Sequence, residues 1–280
     1  MLRVFLVLLM LGLLVIPAVS PGESAAGDEM SLLAINVRKA DALLLRCGES
    51  AYLIDTGTEE SFDRVYTVLK EEGITRLTGV ILTHTHDDHT GGFAALVESD
   101  IDIGTVYASG YYNKKKEKNH PAVKALKNTD RGVTFLFAGD TIPLDGGMLT
   151  VIGPLEKDAD KENNNSLVLL AEGGGGSILL TGDMEFPEEQ SLLNAGAVPR
   201  ADVLKVGNHG EDDATSPAFV QAVKPSVAVV STSTEDEPDT PSPRVMRLLE
   251  SWNVRVAETQ ESEKGVLVTL RGGEILTELK

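Results

Sequence analysis

Cysteine is almost absent from this chain: Cys47 is the only one in 280 residues, so no internal disulfide can form. Lying between LLLR and the strand-like AYLID, it is expected as a buried or half-buried strand residue beside a turn. Positive charge is scarce as well. The 25 lysines and arginines face 43 acidic residues, a net charge of -18, which opposes long-range attraction to nucleic acid or an anionic membrane surface and favours divalent cations. One basic cluster stands out, NKKKEKNH from Asn113 to His120. It reads first as a solvated loop and second as a local contact for phosphate or a polymer. Aromatic residues make up 5%, and no aromatic-basic platform for a polymer is visible along the chain.

A long apolar run occurs once. Arg3 precedes an apolar or small stretch from Val4 to Val19, followed by SPGESAAG, which is the layout of a secretory signal and short for a membrane span of about 20 residues. Residues 1–27 are therefore expected to be a signal peptide, with a retained N-terminal anchor as the alternative. Residues 28–280 are expected to form a single domain that is exported, extracellular or at the cell surface. Arg3 and Glu23 cancel, so the body is as acidic as the whole chain. No hydrophobic stripe marks an interface, and a monomer is the default expectation.

Histidine is scarce too, and its placement is informative. Of five histidines, three fall in ILTHTHDDHTGGF, Ile81 to Phe93, which sets His84, His86, Asp88 and His89 within six positions after a short apolar run. Strand periodicity puts His84 and His86 on one side of the backbone as it leaves a sheet. A turn after Asp87 lets Asp88 and His89 face a second position, and Gly91 and Gly92 permit the close turn into a helix from Phe93 to Glu98. Imidazole and carboxylate together suit zinc, manganese or iron, so this segment is expected to hold one or two metal ions.

Around it, three short strands (LLAINV, ALLLR, AYLID) lead to DTG, where Asp55 is either an acceptor behind a metal-binding histidine or a plain turn residue. Apolar residues at three and four residue steps predict a helix over Glu59 to Glu72. GVILT then reads as the buried strand that delivers the histidines. Further strands are expected at Thr105–Ala108, Val133–Phe137, in a pair over Thr141–Ile152, and in SLVLLA and SILLTGD, whose connecting glycines (Gly173 to Gly176) read as permissive. Helices are expected at 121–126, 188–195, 217–223 and 244–252, and strands at 202–206, 227–230, 254–256, 265–270 and 274–277. Several strands in succession fit two packed mixed sheets with helices outside better than a doubly wound parallel sheet. Asp183 ends one strand and His209 follows another, both placed to join the histidine cluster.

This ordered set (AINVRKADALLL, LIDTG, THTHDDHTGG, NNNSLVLL, LLTGD, DVLKVGNHG with TSPAFVQAVKPSVAVVS, and PSPRVMRLLESWNVRV) resembles the metallo-beta-lactamase superfamily, and within it the ComEC-type hydrolase domain related to the competence channel that takes up DNA. The resemblance implies an α/β fold, the four-layer αββα sandwich, with metals at one edge between the sheets. Carried onto this chain, it implies that His84 and His86 bind one metal, Asp88 and His89 a second, that Asp183 bridges and that His209 completes the second site. Zinc is the implied ion, with manganese as the other candidate. Asp88 and Asp183 would be catalytic in the attack of metal-activated water on a phosphodiester or related ester.

The chain departs from the family pattern at three places: Arg38, Lys39 and Ala40 stand where Gly-Gln-Gly precedes the aspartate, Asn208 replaces the first of two histidines, and Thr240 replaces a histidine before proline. Asn163, Asn164 and Asn165 stand where the wider superfamily has a further histidine ligand. They and Asn208 are expected to support a ligand or touch substrate, while His120 is too distant to assign. A metal-dependent hydrolase is thus the expected function, with a metal-binding module of little turnover as the alternative. Its partner is expected to be a phosphoester or other ester, DNA being disfavoured by charge.

Overall fold

The computed structural model describes residues 29–280, so the leader or anchor expected at residues 1–27 lies outside the described residues. Two sheets face each other. The first contains β1 (Glu29–Ile35), β2 (Leu43–Cys47), β3 (Ser50–Ile54), β4 (Arg76–Leu82), β5 (Asp102–Ser109) and β6 (Val133–Leu136), closed by β14 (Gly265–Arg271) and β15 (Glu274–Leu279), in the order β15-β14-β1-β2-β3-β4-β5-β6. The second runs β13-β12-β11-β10-β9-β8-β7, from β13 (Arg255–Glu258) through β12 (Val227–Val230), β11 (Val203–Lys205), β10 (Gly176–Leu180), β9 (Val168–Gly173) and β8 (Gly147–Gly153) to β7 (Thr141–Leu144).

Period-two burial builds the layers. In β1, Leu32 and Ala34 point into the core between the sheets with Leu45, Leu169, Ile178 and Val203, whereas Leu33 and Ile35 face the helices on the outside. Those helices are α1 (Phe62–Glu71), α3 (Phe93–Glu98) and α4 (Pro121–Ala125), which precede or follow the short turn α2 (Asp87–Thr90) that carries Asp88 and His89. On the far face α5 (Phe186–Asn194), α6 (Pro217–Val223) and α7 (Pro243–Ser251) cover the second sheet. The fold is thus the α/β, αββα sandwich. Helix α1 is shorter than its periodicity predicts, because Thr58 and Ser61 hold a preceding turn in which Thr58 Oγ1 accepts from the Ser61 N–H at 3.1 Å. Cys47 is buried in β2 as expected.

The glycine run is more than permissive. Gly174 has φ +60, and a Cβ there would lie 2.3 Å from the Leu270 carbonyl oxygen, so the β9–β10 hairpin can pack against β14 only with glycine at its tip. Each sheet also changes character along its width. Pairings β3-β4-β5-β6 and β10-β11-β12-β13 are parallel, and the remainder antiparallel. Parallel strands send their C-terminal ends to one edge, where open α/β sheets place ligands. Asp55 follows β3, His84 to His89 follow β4, Asp183 follows β10, and His209 follows β11.

Candidate metal centre

The strand exits bring the separated residues together. His89 Nε2 lies 3.1 Å from Asp183 Oδ1, and His209 Nε2 lies 3.4 Å from both Asp183 Oδ1 and Asp88 Oδ2. Beside them, His84 Nε2 is 3.8 Å from Asp183 Oδ2 and 3.0 Å from His86 Nδ1. Two groups that could hold a metal ion share Asp183: an inner one of Asp88, His89, Asp183 and His209, and an outer one of His84, His86 and Asp183.

The inner group fits a cation on direct grounds. His89 Nε2, Asp183 Oδ1 and His209 Nε2 are buried yet have no hydrogen-bond partner; they approach one another closely without the alignment of a hydrogen bond. Buried polar atoms are ordinarily paired, and three lone-pair donors converging unpaired are what a shared cation requires. Each imidazole is also held from behind. His89 Nδ1 donates to Asp55 Oδ2 at 2.7 Å, and His209 Nδ1 donates to the Ser231 carbonyl at 2.9 Å, which aims each Nε2 at the cluster. Asp55 is fixed in turn, accepting from the Thr83 N–H at 2.8 Å and the Thr83 hydroxyl at 2.7 Å. Asn208 and His209 both sit at positive φ (45 and 53), a strained turn that presents the His209 ring.

Charge balance points the same way. Burial alone would lower His89 and His209, but the carboxylates around them prevail: Asp183 and Asp55 hold His89 well above its ordinary value, and Asp183 with Asp88 raises His209 to about 9. His84 goes the other way, lowered by burial and by the neighbouring His89. Against the burial penalty, the imidazoles keep Asp183 and Asp88 below the usual carboxylate range. A cation bound here takes the place of the imidazole protons.

Other expected residues are placed differently. Asn164 and Asn165 are spent on their own turn: Asn164 Oδ1 accepts from the Glu185 N–H at 3.1 Å, and Asn165 bonds Asp158 through both ends of its amide. Asn163 Nδ2 donates to Glu185 Oε1 at 2.9 Å, leaving its Oδ1 buried and unpaired. Asn208 turns to Asp213, 2.9 Å away. His120 instead accepts from the Ala122 N–H at the start of α4 and packs against Tyr112 and Phe135. The altered turn at Arg38 and Lys39 grips the acidic loop, with Arg38 Nε bonding Asp236 at 2.7 and 2.9 Å and Lys39 pairing with Glu211 and Glu237.

Two features were missed from the sequence. Glu162 joins the site to the basic loop, accepting from the N–H and hydroxyl of Thr85, between the two outer histidines, and from the Asn113 N–H at 2.7 Å. Lys205, fully buried, pairs with Asp41 at 2.8 Å. A lysine inside the apolar run DVLKV was the available signal.

The sequence profile of the Metallo-beta-lactamase superfamily matches residues 35–234, from β1 through the loop after β12. The chain belongs to this superfamily. ComE operon protein 3 from Bacillus subtilis is similar to it, 31% identical over 194 residues, 69% of this chain and 25% of the relative. Competence protein ComA from Neisseria gonorrhoeae is 26% identical over 242 residues, 86% of this chain and 32% of the relative. The chain therefore spans about a quarter to a third of the length of these curated relatives. Among solved structures, the metallo-beta-lactamase fold protein YhfI from Bacillus subtilis shares the fold, with a TM-score of 0.56 at 13% identity over 86% of this chain and 99% of that one.

Proposed function

We propose that this chain is a metal-dependent hydrolase that uses water to cleave phosphodiester bonds, and that it corresponds to the hydrolase domain of ComEC-type competence proteins. The observation that carries the reading is the convergence of the unpaired, buried His89 Nε2, His209 Nε2 and Asp183 Oδ1. Asp88, His89, Asp183 and His209 would hold one ion and His84, His86 and Asp183 another; zinc suits the donor set and manganese is the second candidate. Bound ions of this kind lower the pKa of water toward neutrality and hold the oxygens of a phosphoester. Asp88 is the inner carboxylate that solvent reaches, its side chain 33% exposed against 4% for Asp183, and it is held ionised. It is therefore placed to orient incoming water and accept a proton, while Asp183 holds the two halves together.

The fold also supplies what was not visible along the chain, an aromatic-basic ledge. Phe137, 43% exposed, stacks edge-on against Tyr111 with ring centroids 5.3 Å apart, directly before exposed Lys114, Lys115 and Lys116. The same loop is tied through Glu162 to Thr85. Stacking surface beside local positive charge suits a nucleic-acid strand in spite of the overall acidity, and the likeness to proteins named for competence supports the same substrate. On the strength of the Val4–Val19 stretch, the body works outside the cytoplasmic membrane.

The test is phosphodiesterase activity of the purified chain on a single-stranded oligonucleotide and on a small diester, with zinc or manganese added and metal counted by elemental analysis. Close to two equivalents and turnover that vanishes in His86→Ala and Asp183→Ala are expected. Bound metal without turnover on any ester would establish the metal-binding module instead.

A further inference from the structure

One buried charge pair has no part in the ligand set. Lys205 and Asp41 are both 0% exposed. Lys205 Nζ donates to Asp41 Oδ2 at 2.8 Å and to the Val206 carbonyl at 3.2 Å. Such pairs seldom add net stability over apolar side chains of the same volume, because both charges lose their hydration. Stability is therefore a poor account of this one, and its position offers a better one.

Asp41 lies in the loop between β1 and β2. Its N–H donates to the Asp88 carbonyl at 3.1 Å, and its own carbonyl accepts from the Gly57 N–H at 2.7 Å. It is clasped between the segment that carries Asp88 and the one that follows Asp55. Lys205 ends β11, four residues before His209. The ion pair consequently ties the ligand-bearing loops of the first sheet to the strand of the second sheet that delivers His209. A second observation points inward. Asp41 Oδ1 is buried and unpaired, and one Asp41 oxygen lies within 4.8 Å of ligating atoms of Asp55 and His89. Asp41 thus stands beside His89 and Asp55, and Lys205 keeps it from being a further unbalanced carboxylate there.

We propose that Lys205 is a positioning residue for the inner cation: by neutralising Asp41 and bonding it across the two sheets, it keeps His209 in register with Asp88, His89 and Asp183. The inference rests on the two-cation reading above, and its test reads metal rather than turnover. Full-length wild-type chain, Lys205→Met, Asp41→Asn and the double variant are titrated with cobalt(II), following d–d absorption, and with zinc by calorimetry; His209→Ala marks loss of the inner ion and His86→Ala loss of the outer.

Lys205→Met is expected to reproduce the His209→Ala spectrum and to weaken the inner equivalent at least about tenfold, the usual loss when a group supporting a ligand is removed, with the outer equivalent changed less than about threefold. The double variant carries no unpaired buried charge, so it is expected to melt close to wild type and still to bind the inner ion weakly. Inner affinity restored in the double variant would overturn the proposal, since charge compensation alone would then account for the pair. Unchanged inner affinity in Lys205→Met would overturn it as well. A wild-type chain that takes up no second equivalent would refute the two-cation reading and this inference with it, and the wild-type titration alone identifies that case.

Discussion

Asp55→Asn is the most discriminating single change to the centre. The native carboxylate accepts three hydrogen bonds at full burial, from His89 Nδ1, the Thr83 hydroxyl and the Thr83 N–H. Asparagine keeps the shape but owns one acceptor oxygen. If that oxygen stays with the Thr83 N–H, the amide NH2 faces His89 Nδ1, donor against donor. The imidazole relieves this by moving its proton to Nε2, the atom aimed at Asp183 and Asp88. The substitution therefore blocks a ligand without touching the ligand residue. Loss of such a supporting partner costs about 10- to 100-fold in metal affinity, or about 1.4–2.7 kcal/mol, and the mispaired buried amide costs about 1–3 kcal/mol of folding stability. Calorimetric zinc titration should show the inner equivalent weakened by that amount, with the outer one little changed, and urea denaturation should show the stability loss. Inner affinity within twofold of wild type would refute the argument that Asp55 sets the His89 tautomer.

Other outcomes follow from the same geometry. Carboxylates raise His209 to about 9 and hold His89 well above its ordinary value, so a cation entering the inner group competes with protons for these rings. Cation affinity should therefore rise as pH increases toward 9, with one to two protons released per inner ion at pH 7, read by calorimetry in buffers of different ionisation enthalpy. His120, lowered by burial from 6.5 to about 4, is held neutral when folded. Its contribution is intact above pH 6.5 and is lost as pH falls toward 4, amounting to about 3 kcal/mol; His120→Asn, which keeps an acceptor for the Ala122 N–H, should flatten that part of the pH–stability curve in urea melts. Phe137→Ala should weaken oligonucleotide binding about 5- to 100-fold, the range for one stacked base, while leaving kcat/KM on a small diester within twofold.

What could be read from the sequence was what is local. His84, His86, Asp88 and His89 lie on one strand exit, so period-two geometry and a turn suffice to group them. Asp183 and His209 could be added because each follows an apolar run that had to be a strand ending at the same edge. The asparagines are a different case: Asp158 and Glu185 take up the side-chain NH2 groups of Asn163, Asn164 and Asn165 in the polar run DADKENNNS while Asn163 Oδ1 stays unpaired, a pairing that spacing along the chain does not reveal. Pairings across the sandwich were not legible. Phe137 and Tyr111 are 26 positions apart in sequence and meet only because β5 and β6 are parallel neighbours. Lys205 and Asp41, separated by 164 positions, meet only because the two sheets stack.

The two halves of the centre are not equivalent, and the difference predicts an order of loading. Among the described residues, the inner group has four donors, and both its histidines are oriented from behind, by the Asp55 carboxylate and the Ser231 carbonyl. The outer group has three, one shared, and its His86 is exposed. His86 Nδ1 and His84 Nε2 lie 3.0 Å apart, within hydrogen-bond reach of each other, so that contact must be given up before both nitrogens can serve one ion. Asn164 and Asn165 of the neighbouring turn are engaged elsewhere, which leaves the buried, unpaired Asn163 Oδ1 as the one amide oxygen of that turn without a partner. A preorganised site binds without the cost of ordering its ligands, whereas a mobile exposed imidazole bears that cost on binding. Cobalt titration should therefore be biphasic, the first equivalent lost in His209→Ala and the second in His86→Ala, with the second ion at least tenfold weaker. Simultaneous filling with equal affinity would show that the outer half is as well ordered as the inner one, and that the missing histidine has been replaced by a donor outside this ligand set.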